Sequence, residues 1–282
     1  MIPAITSNEK FHHVIISTGN VLNLNNQLGG KTTDEILEVL RLTLQCAETA
    51  AQVELNDTDG RVLRATEELK QKITENERSD LGIGVKIFLN KSANIFIEQA
   101  ISTLLQILEV EHVDNVVLAY HPKTHESSST TTQNHNADWG EHNPDKEKNT
   151  KNAKNVDQLK KLWSALEQLA LKKQITQLGI ADLDIEQLQQ LNSAANVHPT
   201  IAQINLESCC VVPPALQDYC TKNDIQLLTH NDPEVLLPNE QFILPGYQVD
   251  WALRYQVHVR CRGVIAARGY IVGASRNENT TV

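Results

Sequence analysis

QINLESCCVVPPALQDYCTKNDIQLLTHNDP, residues 203–233, decides how this chain folds. A short apolar run ends in two adjacent cysteines. A proline pair then opens a helical stretch over 214–222, and a second β-rich run, IQLLT (225–229), follows. Pro suits the first turn of a helix, where its missing N–H is not needed. Two strands joined through a helix lie parallel, because a crossover of a dozen or more residues cannot be a hairpin.

The same unit repeats outward from this stretch. Strands are predicted at HVIIS (13–17), GVKIFL (84–89), NVVLAY (115–120), TQLGI (176–180) and AQINL (202–206). Leu159, Leu162, Trp163, Leu166 and Leu169 carry the spacing of one buried helical face. Asp184 with Gln187 reads as a capping box, and so does Thr32 with Glu35 ahead of a helix over 33–53. Further helices are expected over 61–75 and 93–110. Residues 123–155 hold only Ala137, Trp139 and Ala153 as apolar side chains. So few cannot offset the entropy of ordering the segment, which is read as a disordered loop within one domain spanning 1–282. Setting it aside leaves 249 residues, close to the ~250 of a (β/α)8 TIM barrel. No G-x-G-x-x-G follows an early strand, so the closed barrel is preferred to an open doubly wound sheet.

Composition narrows the function. A net charge of −10 argues against a nucleic-acid partner, which needs a basic surface. No run approaches the ~20 apolar residues of a membrane span. The N-terminus lacks a signal-peptide pattern, and five cysteines without framework spacing fit a reducing, cytoplasmic setting. The histidines show no H-x3-H pairing and the cysteines no C-x2-C, so no metal site is expected.

In a barrel the functional face lies at the C-terminal strand ends. Asn20, Asn90, His121, Ser208, Cys209, Cys210, His230 and Asp232 fall there. WSALEQLALKKQITQLGIADL (163–183), AQINL and DNVVLAYHP (114–122) resemble aldo-keto reductase phrases, and Lys86 stands where the catalytic lysine of that superfamily is expected. Such an enzyme needs a tyrosine as proton donor, its pKa lowered by the lysine and a buried aspartate. No tyrosine precedes Tyr120, and Asp57, Asp59 and Asp80 are not in the required phrase. Lys86 and His121 are therefore read as vestigial reductase positions.

The block 203–237, the phrase at Ser17–Asn23 and WALRYQVHVRCRGVIAARGYIVGA (251–274) resemble the regulatory (modifier) subunits of glutamate–cysteine ligase. The resemblance implies a non-catalytic chain that forms a heterodimer with the catalytic subunit. It would raise that subunit's apparent affinity for glutamate and relieve feedback by glutathione, in the first step of glutathione synthesis. It also implies redox-sensitive covalent association, for which Cys209, Cys210 and Cys261 are the candidates. An alternative is an NADPH-dependent reductase with Tyr120 or His121 as an unconventional acid. Arg254, Arg260, Arg262, Arg268 and Arg276 crowd residues 251–276 without an acid. They form a docking patch, or with Gln203 and Asn205 a remnant NADPH site in which Arg260, Arg262 and Arg268 face phosphate, or ordinary solvated surface. No cofactor is required by the regulatory reading.

Overall fold

A computed structural model of the chain describes residues 11–24, 31–45, 51–55, 59–64, 67–121, 144–205 and 211–276. Within them ten strands form a single sheet. In chain order these are β1 His13–Ser17, β2 Ala51–Leu55, β3 Asp59–Arg64, β4 Leu81–Leu89 and β5 Val113–Tyr120, then β6 Ile175–Ala181, β7 Ile201–Asn205, β8 Gln226–His230, β9 Tyr247–Val259 and β10 Val264–Arg276. The helices are α1 Thr32–Gln45, α2 Glu67–Thr74, α3 Asn94–Leu108, α4 Pro144–Leu171, α5 Ile185–Ala194 and α6 Pro214–Lys222.

The spatial order is β2-β3-β1-β10-β9-β4-β5-β6-β7-β8. From β4 to β8 every neighbour is parallel and each crossover carries a helix, as the strand–helix repeat predicts. The ring expected of a TIM barrel does not close among the described residues, where β2 and β8 end the sheet. The reason lies in the long hairpin β9–β10. It is wedged between β1 and β4 and pairs antiparallel with both, where a barrel would have parallel neighbours. Residues 61–75 also differ from expectation, because β3 and α2 replace one helix. The helix expected over 33–53 stops at Gln45, and β2 begins at Ala51. The last part of the presumed loop, 144–155, lies in α4; residues 122–143 lie outside the described residues.

Both faces of the sheet are covered, as parallel strands require. In β4, Ile83, Val85, Ile87 and Leu89 pack with Ile97, Leu104 and Trp163 of α3 and α4. Alternation turns the other residues to the opposite face. There Phe88 joins Val117, Ala119, Ile36 and Leu40 of α1, and Leu236 and Leu237 of the strap between β8 and β9. Each fully buried side chain of this size contributes about 1.5–3 kcal/mol. Asp184 and Gln187 form the capping box that opens α5. Lys86 shares the second face with Phe88, so an ammonium lies inside an otherwise apolar layer.

Candidate functional site

A buried cation needs a partner. For Lys86 that partner is Asp232, which the stretch 231–233 after β8 brings over the sheet: Nζ donates to Oδ2 at 2.9 Å, and both side chains are about 5% exposed. Arg254 lies directly opposite Lys86 on β9. Its guanidinium grips the same carboxylate with two bonds, Nη1 to Oδ1 at 2.5 Å and Nη2 to Oδ2 at 3.0 Å. The Phe88 ring lies beneath both cations, 5.3 Å from Nζ and 5.9 Å from the guanidinium carbon. Burial works to raise the Asp232 pKa, but the bonds and charges of Arg254 and Lys86 outweigh it and hold the carboxyl below its usual range. Burial pulls the Lys86 ammonium below its ordinary value, against the opposing pull of Asp232.

A second carboxylate stands at the end of β6. Asp182 adopts φ +60°, a left-handed conformation uncommon for a residue with a side chain. Its Oδ1 accepts from the Asn205 backbone N–H at 2.9 Å and lies 3.0 Å from His230 Nε2; Oδ2 lies 3.3 Å from His121 Nε2. Burial opposes ionisation of Asp182, yet the two imidazole hydrogen bonds keep its pKa well below the usual carboxylate range. His230 Nδ1 accepts the Asp232 N–H at 3.1 Å, which fixes the tautomer whose Nε2–H donates to Asp182. The two clusters thus share His230 as a hinge-pin. Two clefts flank Asp182, one of about 150 Å3 beside Tyr120 and His121, the other of about 300 Å3 beside Ile204 and Leu216.

Tyr270 and Arg268 share a partner on α1 that residue patterning read only as the capping-box mate of Thr32. Glu35 of α1 accepts from the Tyr270 hydroxyl at 2.6 Å and from Arg268 at 2.9 Å. Burial, followed by Glu35, raises the Tyr270 pKa, which is opposite to what a proton donor at neutral pH requires. Among the described residues no tyrosine hydroxyl hydrogen-bonds Lys86.

The structure divides four of the five arginines. Arg254 and Arg268 turn to the interior partners just given, whereas Arg260 and Arg262 are exposed at the β9–β10 turn with Cys261. That turn adjoins the start of β4, since Val259 pairs with Leu81. Gln203 and Asn205 lie at the other end, where the parallel strands finish. Six residues of strand separate Arg254 from Arg260, about 20 Å. Cys209 and Cys210 lie outside the described residues.

An aldo-keto reductase likeness implies a pyridine dinucleotide phosphate, and the residues present do not fit one. Of the phosphate candidates, Arg260 and Arg262 sit at the far end from Gln203, and Arg268 is held by Glu35. The Gln203 Oε1, buried without a partner among the described residues, would suit an amide ligand. Asn205 Nδ2 is already spent on the Asp232 carbonyl at 2.9 Å.

A profile of the aldo/keto reductase family matches residues 60–231, more than half of the chain. The glutamate–cysteine ligase regulatory subunit of Homo sapiens is 31% identical over 93% of this chain and 92% of its own length. A putative glutamate–cysteine ligase regulatory subunit of Schizosaccharomyces pombe is 26% identical over 96% of this chain and 99% of its own. Among solved structures, an aldo-keto reductase of the silkworm Bombyx mori matches 57% of this chain with 22% identity and a TM-score of 0.40. The match spans 43% of the silkworm chain. One from Brucella melitensis matches 59% of this chain and 54% of its own, at 16% identity and a TM-score of 0.41. The chain belongs to the aldo/keto reductase family, and within it to the group whose curated members are named glutamate–cysteine ligase regulatory subunits.

Proposed function

We propose that this chain is a regulatory subunit of glutamate–cysteine ligase and performs no reduction of its own. It binds the catalytic subunit, raises that subunit's apparent affinity for glutamate and relieves inhibition by glutathione. The observation that carries this reading is the near end-to-end likeness to regulatory subunits at 31% identity. The Lys86 site supports it from the side of chemistry, because no tyrosine hydroxyl among the described residues hydrogen-bonds that lysine. Activation is then allosteric. The chain prefers one conformation of its partner, and its leverage equals that difference in affinity. A tenfold gain for glutamate needs about 1.4 kcal/mol of such preference.

Covalent association through Cys209, Cys210 or Cys261 is part of the proposal. Cys261 is exposed and therefore accessible to exchange, whereas Cys220 is buried. A cytoplasmic setting follows from the same reading; no described helix is long and apolar enough to cross a membrane. The test is kinetic. Adding the purified chain to the catalytic subunit lowers the half-saturating glutamate concentration and raises the glutathione concentration needed for inhibition. An unchanged half-saturation at excess protein overturns the proposal. Oxidation of NADPH with small aldehydes, abolished by Lys86→Met, would restore a reductase reading.

A further inference from the structure

The end of the molecule opposite the clefts carries a surface of its own. The β9–β10 turn spans residues 260–263, and Gly263 there adopts φ +62°, which suits a residue without a side chain. Just beyond it Val264 is 50% and Ile265 40% exposed, two adjacent β-branched side chains that their own fold leaves uncovered. Arginines flank them. Arg260 donates to the Leu81 carbonyl at 2.9 Å and pairs with Asp114, a carboxylate it shares with Arg78 at 2.9 Å. Two guanidiniums thus meet one carboxylate, and no carboxylate among the described residues pairs with Arg262. In a chain of net charge −10 the hairpin stretch 251–276 carries five arginines and no acid.

We propose that the hairpin tip formed by Arg260, Arg262, Val264 and Ile265 is the docking element for an acidic-rimmed apolar pocket on the ligase catalytic chain. The inference rests on the regulatory reading above and names the surface through which it works. Apolar side chains at the centre with arginine around them match the composition of interface anchors. Complementary charge chooses the occupant: an acidic surface is drawn to the tip and repelled by most of the rest of this chain. The tip is too small to be a whole interface, which buries ~800 Å2 per partner, so it acts as an anchor within a larger contact.

The experiment measures binding of the full chain to the purified catalytic subunit by calorimetry, for wild type, Arg262→Glu and Val264→Asp, at low and high salt. Because both side chains are exposed, circular dichroism of the variants should match wild type. The expected result is binding weaker by about tenfold or more for each variant, and a salt dependence that is reduced in Arg262→Glu. Wild-type binding that both variants retain overturns this inference alone. Absence of wild-type binding overturns it together with the function proposed above. Retention by Arg262→Lys, beside loss in Arg262→Glu, assigns the effect to charge.

Discussion

Asp232 shows how one side chain can fix the chemistry of a site. Removing it leaves two cations in a face otherwise built of Phe88, Val117 and leucines, and breaking a buried pair from one side costs about 3–5 kcal/mol. Asp232→Ala should therefore lower the unfolding free energy by that order in denaturant titration, while Lys86→Met, which removes one of two cations and keeps Arg254 on the carboxylate, should cost less. Acid should act on the same groups. Asp182 and Asp232 have pKa values below those of the unfolded chain. Their contribution is complete above the ordinary carboxylate value of about 4 and is lost as pH falls through the lower folded values. The melting temperature should decline below about pH 4, and Asp182→Asn should flatten that decline. Sequence placed His121, His230 and Asp232 at strand ends and Lys86 within its strand, but not who binds whom. Pairing of Asp232 with Arg254, 22 residues away, depends on how the β8–β9 strap lies.

Among the elements, those governed by local chemistry were legible. The capping box of Asp184 and Gln187 appears as its residues predict. Asp184→Ala should cost about 1 kcal/mol, measured by thermal unfolding. Helix α6 begins at Pro214 for an equally local reason, the fixed φ of proline. What escaped was set by distant partners. Residues 61–64 read as helical yet form β3, because β1 and β2 pair with them on either side. The central hairpin adds a constraint of close approach. A Cβ at Gly269 would collide with the Gly19 carbonyl and the Tyr255 hydroxyl, and one at Gly273 would collide with the Trp251 ring. Gly269→Ala should destabilise by about 1–3 kcal/mol or more, since backbone cannot step aside as a flexible side chain can.

For the molecule as a whole, the family likeness covered more than local physics could. Strand count and helix spacing pointed to a TIM-like ring, but the alternation over 255–272 did not disclose that these residues enter the sheet between its first and fourth strands. That placement governs how the protein can be made. β1 and β3 are hydrogen-bonded into one sheet with β4 only through β10 and β9, the last of the ten strands to emerge during synthesis. Until residues 247–276 emerge, the nascent chain holds two separate half-sheets with bare margins, each open to pairing with a stranger. A polypeptide released at residue 246 should be recovered as aggregate rather than as a smaller soluble protein, and synthesis should lean on chaperones until residue 276 has emerged.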